Sequence, residues 1–241
     1  MALPVLREIW QFPVKGMAGV QLPRAALQLN GIPGDRTYAF VRVDRTRLFP
    51  WLTLREFPEL AAWEPSWREQ PDGGHRLAVR APDGAAFDID DPTLTARISG
   101  AAGLDIRLHA DYRGNFDVAP VSIIAAATIE RLCAEAGVAP ESRRFRMNLV
   151  VEGVPPFGEN AWVGRVLRVG TARLAVVERD QRCAVITVDP DGSGLRTPGV
   201  LKVAGSLNDA CAGVYAAVVT PGEVHAGDAI EVEPASIGPG T

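Results

Sequence analysis

The chain has 241 residues, of which 47% are hydrophobic and 22% charged, and its net charge is −4. This length and balance describe a soluble globular protein of one or two domains whose core needs neither disulfides nor a structural metal, and exclude a mini-protein scaffold or a disordered tail. The acidic balance argues against a role in coating nucleic acid or an anionic membrane.

The longest apolar run, Val121–Ile129, is about half of the ~20 residues that a spanning helix needs. Residues Met1–Glu8 lack a basic start followed by a long apolar segment, so no secretory signal is read there. Cys133, Cys183 and Cys211 form no CxxC pair, a pattern of reducing compartments that rules out a zinc site of cysteines alone. The expected location is cytoplasmic, with no nucleic-acid or membrane partner.

In chain order the sequence reads mostly as strand, near 5–12, 25–30, 37–43, 75–80, 85–89 and 105–109, then 148–152, 165–169, 172–178, 184–188, 213–219 and 229–233. Asn30-Gly31, Asp72-Gly73-Gly74, Asp83-Gly84 and Asp191-Gly192 supply the turns, because these residues tolerate the positive φ of tight hairpins. One clear helix is predicted from about Ala126 to Ala136, where Ile129, Leu132, Cys133 and Ala136 make an apolar stripe and Gly137 closes it. Short helical pieces are expected at 53–57 and 93–101. The fold class is therefore mainly β, a barrel or sandwich with one or two short helices. The polar stretch Ala110–Ala119 is the best boundary; it divides the chain into residues 1–112 and 113–234, with 235–241 a Pro/Gly-rich flexible tail.

Cys133 lies on the helix stripe and Cys211 beside a predicted strand, so both read as core or loop. Cys183 stands at the predicted start of the strand 184–188, close to Arg179 and Arg182. Context leaves two readings of it: a thiolate favoured by positive charge, which binds metal or attacks, or a buried structural thiol. His75, His109 and His225 show no metal-ligand spacing, and GxSxG, GxGxxG and GxxxxGK[ST] are all absent.

Ser142-Arg143-Arg144-Phe145-Arg146-Met147-Asn148 puts three guanidiniums in four residues. In an extended segment Arg144 and Arg146 share a face. With Lys15 and Arg36 they form either an anion pocket or a solvated charged edge. Only two lysines, Lys15 and Lys202, stand among the 25 basic residues; either a coding bias towards arginine leaves two by chance, or these are positions where a compact point charge matters.

Six segments resemble one known family. They are Ile9-Trp10-Gln11-Phe12-Pro13-Val14-Lys15-Gly16, Gly31–Tyr38, Leu52–Leu60, Arg144–Asn148, Arg182–Asp191, and the stretch from Gly213-Val214-Tyr215 to Gly227-Asp228. In this order they are similar to the MOSC-domain proteins, named for the C-terminal domain of molybdenum cofactor sulfurase. Within that family they resemble the members with an N-terminal β-barrel domain, among them the mitochondrial amidoxime-reducing component. The resemblance implies two barrel-like domains and a pterin-based molybdenum cofactor (Mo-molybdopterin).

By position, the resemblance makes Cys183 the catalytic residue and the metal's thiolate ligand, in keeping with a soft sulfur donor. It implies that Lys15, Arg36, Arg144, Arg146 and Arg182 hold the cofactor's phosphate and pterin oxygens, and that Asn148 and Thr128 add hydrogen bonds. Asp189 is expected to brace a loop, and Lys202 to be structural. Gly16, Ala125, Ile186 and Met147 depart from the family pattern, the first three by losing a hydroxyl.

The activity implied is a molybdenum oxidoreductase that reduces N-hydroxylated or N-oxide small molecules. No cysteine cluster follows Pro234, so electrons are expected from a separate flavin or iron–sulfur reductase. The alternative is a non-catalytic carrier of the cofactor or of a persulfide on Cys183. Pyridoxal-phosphate binding belongs to the family only at large: these 241 residues contain no such domain, so a carrier of this kind would receive its sulfur from elsewhere. Loss of the cofactor is a third reading, to which the missing hydroxyls give weight.

Overall fold

A computed structural model describes residues 3–44, 50–70 and 73–234; the predicted tail and part of the turn at Asp72 lie outside them. The first half contains β1 (Val5–Gln11), β2 (Val20–Leu22), β3 (Arg24–Leu27), β4 (Tyr38–Arg42), β5 (Glu64–Glu69), β6 (His75–Arg80), β7 (Ala86–Asp88), α1 (Pro92–Ala102) and β8 (Ile106–Ala110). The second half contains β9 (Val121–Ala125), α2 (Ala126–Glu135), β10 (Leu149–Glu152), β11 (Val166–Val169), β12 (Ala172–Gln181), α3 (Pro198–Asn208), β13 (Cys211–Thr220), β14 (Gly222–His225) and β15 (Ile230–Val232). The molecule is mainly β, with three α-helices among the described residues.

Eight strands form one curled sheet in the order β15-β11-β12-β13-β9-β10-β1-β2. All its pairs are antiparallel except β9 with β10, which are joined through α2. The curl brings Val5 of β1 onto Ala229 just before β15. Alternating residues such as Ile9, Leu149, Val151, Leu167, Leu174 and Val214 fill its inside. β1 and β2 are thus strands of the sheet built by the second half, while β4 with β8, and β5-β6-β7, form separate small sheets over a core around Phe40, Leu60, Leu77 and Leu94.

The expected helix is α2, with Ile129, Leu132 and Cys133 buried and Gly137 in the left-handed region just beyond it. The expected piece near 93–101 is α1, capped by Asp91, whose side chain accepts from the Thr93 amide at 2.8 Å. A third helix, α3, went unseen in the sequence because two glycines and two valines weaken its helical signal. Residues 53–57 form a turn and not a helix, and a short 3-10 segment follows at Pro58–Ala62.

The strand expected at 184–188 is also absent. Ala184–Thr187 is a 3-10 turn in which the Thr187 hydroxyl donates to the Ala184 carbonyl at 2.7 Å. Ile186 turns into the core under α2 and α3, while Val188 turns into the first-half core. Two destinations for residues two apart cannot be met by the alternation of a strand. β12 instead runs on to Gln181 through bulges, and Cys183 sits just past its end.

Candidate functional site

A cavity of about 520 Å³ opens between the end of the curled sheet and the first-half loops. It is lined by Lys15, Arg36, Arg55, Arg146, Arg182 and Cys183, with Asp117, Asn148, Asp180 and Tyr215 among the others. Six cations, Arg179 among them, and one thiol, drawn from segments scattered over most of the chain, thus meet in one place beside the carboxylates of Glu56, Asp117, Glu178 and Asp180.

Phe12 organises two of these cations. Its fully buried ring lies 4.4 Å from the Arg146 guanidinium carbon and 5.1 Å from that of Arg36, a cation–π arrangement worth about 0.5–2 kcal/mol each. The Phe12 amide donates to Asp35 Oδ1 at 2.6 Å, and the Arg36 amide donates to the Phe12 carbonyl at 2.7 Å. Arg36 Nη1 pairs with the buried Asp35, and its Nη2 donates to the Arg146 carbonyl at 2.9 Å. Arg146 Nη1 donates to the Met17 carbonyl at 2.6 Å. Asn148 locks the group, donating from Nδ2 to Asp35 Oδ2 and the Trp10 carbonyl, both at 3.1 Å, and accepting at Oδ1 from Ser122 Oγ at 2.9 Å.

This arrangement carries strain. Arg36 (φ 49°) and Arg146 (φ 56°) are both in the left-handed region, which costs a non-glycine residue about 1–3 kcal/mol and persists only where surroundings fix it. Burial and the neighbouring Arg36 push Arg146 down to about 9. Burial also works against the charge of Arg36, but Asp35 outweighs it and raises that group. Among the described residues no carboxylate pairs with Arg146, so the site holds a guanidinium charge that an anion would neutralise.

Lys15 Nζ donates to Asp117 Oδ1 at 2.8 Å and to the Asn115 carbonyl at 3.0 Å. Burial lowers its pKa against the opposing pull of Asp117. Gly16 beside it has φ +89°, and a Cβ there would stand 2.7 Å from Leu60 Cδ2, so this backbone is one that glycine alone adopts comfortably.

Cys183 is half-buried in the wall. The arginine that meets its sulfur is Arg55, whose pKa is raised first by a hydrogen bond to Cys183. The two arginines near it in sequence line the same cavity but pair with other groups. Arg179 reaches Asp209, while Arg182 pairs with Asp180 and donates to the Phe145 carbonyl at 2.5 Å and to Met147 Sδ at 3.3 Å. Arg182 Nε is buried without a partner. Asp180 and Tyr215 are hydrogen-bonded, and burial raises both, keeping the phenol protonated.

Two expected residues are not brought to this cavity. Thr128 is fully buried behind it, donating to Glu159 Oε2 at 2.9 Å and accepting from the Phe157 amide at 2.7 Å. Its hydroxyl is spent holding a buried carboxyl. Thr128→Val is therefore expected to lower stability by about 1–3 kcal/mol while leaving cofactor content per folded chain unchanged; urea denaturation beside metal analysis checks both.

The extended segment expected here is absent, since Ser142–Phe145 is a 3-10 turn and Arg146 is left-handed; Arg146 lines both the thiol cavity and a neighbouring one of about 650 Å³, whereas Arg144 lines only the neighbouring one. Arg144 Nη1 donates to the carbonyls of Val188 (2.9 Å) and Ile186 (3.4 Å), pinning the turn after Cys183. Asp189 accepts from Ser193 in its own loop, and Lys202 is exposed on α3. Cys133 and Cys211 are buried.

Arg55, Asp117, Asp180 and Tyr215 escaped the reading of candidate sites. Arg55 lies inside the quoted segment Leu52–Leu60, so its signal was present, but nothing local ties it to a cysteine 128 positions away (183 − 55).

The combination defines a class: a curled β-barrel protein with a cationic pocket and a single thiol in its wall. The MOSC domain model matches residues 110–231, and the MOSC N-terminal beta barrel domain model matches residues 3–128. The chain belongs to the MOSC family. It is 26% identical over 226 residues to a molybdenum cofactor sulfurase of Caenorhabditis briggsae, covering 83% of this chain, and 25% identical over 226 residues to that of Caenorhabditis elegans, covering 82%. The chain spans 31% of the length of each of these relatives. In fold it is similar to the YuaD protein from Bacillus subtilis, with a TM-score of 0.53, 15% identity, and coverage of 95% of this chain and 94% of that one.

No helix among the described residues is long and apolar enough to cross a membrane.

Proposed function

We propose that this protein binds the molybdenum cofactor in the cationic cavity. Cys183 is its thiolate ligand, and Lys15, Arg36 and Arg146 hold its phosphate and pterin oxygens. We further propose that the loaded protein reduces N-hydroxylated or N-oxide compounds with electrons from a separate flavin or iron–sulfur reductase. The observation that carries this reading is the meeting of these cations with one half-buried thiol in a single cavity. The residues fit such a group: Arg146 has no carboxylate partner among the described residues, Arg182 Nε is an orphan donor, and the thiol is the soft ligand that the metal takes.

When bound, the cofactor supplies the two-electron redox chemistry. Removing oxygen from a hydroxylamine consumes two electrons and two protons and releases an amine and water; the reductase supplies the electrons. The chain's own residues supply position and environment. Arg55, hydrogen-bonded to Cys183, would offset the charge of a metal-bound thiolate. Phe12, Asp35 and Asn148 fix the two guanidiniums before any ligand arrives, so little ordering cost falls on binding. Tyr215 keeps its proton on the phenol oxygen, hydrogen-bonded to Asp180, at the cavity wall.

Similarity to the molybdenum cofactor sulfurases supports a second reading, in which Cys183 carries a persulfide or the chain hands on the cofactor. The test is expression in a host that makes the cofactor, followed by molybdenum and pterin analysis and assay with an amidoxime or hydroxylamine and a chemical donor. Near-stoichiometric molybdenum with turnover is the expected result. A loaded protein without turnover, or sulfur on Cys183 in place of metal, favours the carrier. No molybdenum, in a host that loads a relative, removes the oxidoreductase reading.

A further inference from the structure

Both acceptors on Lys15 Nζ come from one short segment, the Asn115 carbonyl and the Asp117 carboxylate. Asn115 is firmly tied: its amide donates to the Arg36 carbonyl at 2.8 Å, and its Nδ2 donates to the carbonyls of Arg36 (2.9 Å) and Thr37 (3.1 Å). Beyond it the restraint stops. Among the described residues no backbone amide from Phe116 to Ala119 donates a hydrogen bond, and pairing resumes only at Val121, where β9 begins. Phe116, Asp117, Val118 and Ala119 all line the cavity.

Asp117 therefore stands at the free middle of a strap, with its side chain 55% exposed. Although burial acts to raise its pKa, the charges of Lys15, Arg36 and Arg55 outweigh it and hold the carboxyl below its usual range. Three cations of the proposed site already share one internal anion.

We propose that Asp117 is a tethered competitor for the anion seat, which a phosphate-bearing ligand displaces by moving the strap 116–119 away from Lys15. This rests on the reading of the cation cluster as a phosphate seat. The proposal has a physical consequence for selectivity. A tethered carboxylate is present at high effective concentration, so a free monoanion gains little by exchanging with it, whereas a dianionic phosphate exchanges one negative charge for two. Asp117 thereby sets a threshold of ligand charge.

The test is calorimetric titration of inorganic phosphate into the full chain, purified from a host without the cofactor pathway and shown by circular dichroism to be folded. Asp117→Asn is expected to bind phosphate about tenfold or more tighter than wild type, since removing a like charge near a bound anion relieves direct repulsion. Asp117→Glu, which keeps the charge, is expected to stay near wild type. Lys15→Met combined with Asp117→Asn should lose the gain.

Unchanged or weaker phosphate binding in Asp117→Asn would overturn the proposal and make the carboxylate a brace for Lys15. The same variants made in a cofactor-producing host report molybdenum separately. Loading in wild type without a phosphate gain in Asp117→Asn sinks the strap and leaves the cofactor reading standing. Absence of both loading and phosphate binding in every variant sinks the two together.

Discussion

Replacing Cys183 with alanine is expected to lower molybdenum content per chain at least about 100-fold under competition with a chelator, since even outer partners of metal ligands are worth 10–100-fold in affinity. Turnover should fall with it. Pterin should persist in part, because the phosphate contacts proposed for Lys15, Arg36 and Arg146 do not pass through the sulfur. Stability should change by less than about 1 kcal/mol, because Cys183 is half-buried and belongs to none of the hydrophobic cores.

The split between metal and pterin makes this test specific. Arg36→Met is expected to lose both, since the guanidinium spans Asp35, Asn148 and Arg146. Elemental analysis, pterin fluorescence and urea denaturation on the two variants separate a ligand from a framework residue. Full molybdenum and full turnover in Cys183→Ala would remove Cys183 from the metal's coordination and leave the cavity as an anion site alone.

The strands with alternating apolar residues were legible in the sequence, because a period of two survives wherever one face is buried. β6, β8, β10, β11 and β13 fall close to their expected places. β2, β5 and β14 did not show. β2 and β14 are only three and four residues long, and β5 is polar and contains Pro65. β9 was hidden differently: Val121–Ala125 is buried on both faces and runs without a break into α2, so the joint between strand and helix leaves no mark in composition.

The site was legible as a set of motifs but not as a geometry. Lys15, Arg36, Arg146, Asn148, Arg182 and Cys183 all reach the cavity wall. What the sequence concealed was direction. A left-handed Arg146 after a 3-10 turn replaces the extended segment that was expected, so Arg146 reaches the thiol cavity while Arg144 lines only the neighbouring one, and no propensity announces a left-handed arginine. The partner of Cys183 was concealed for a related reason: Arg179 and Arg182 are near it along the chain, but they pair with Asp209 and Asp180, and the first half supplies Arg55.

The contrast between two aspartates gives the other large effect. Asp35 and Asp117 each face arginine or lysine at the same cavity, but Asp35 is 2% exposed whereas the Asp117 side chain is 55% exposed. Asp35 accepts from the Phe12 amide, pairs with Arg36 and accepts from Asn148 Nδ2, joining the end of β1, the turn before β4 and the approach to β10. Asp35→Ala leaves the Phe12 amide and a buried guanidinium unpaired. Breaking a buried pair in this way costs about 3–5 kcal/mol, a large share of the roughly 5–15 kcal/mol by which a domain is stable. Asp117→Asn removes a carboxylate whose side chain is 55% exposed while Lys15 keeps the Asn115 carbonyl, so its cost is expected to stay at about 1 kcal/mol.

Urea denaturation of the full chain should therefore place Asp35→Ala far below wild type and Asp117→Asn close to it, with cofactor retention lost in the first and kept in the second. A loss under about 1 kcal/mol in Asp35→Ala would mean that Arg36 finds solvent or another partner when its carboxylate is gone. The cation cluster would then be held by Phe12 and Asn148 alone, and the preorganisation argued for the pocket would fail with it.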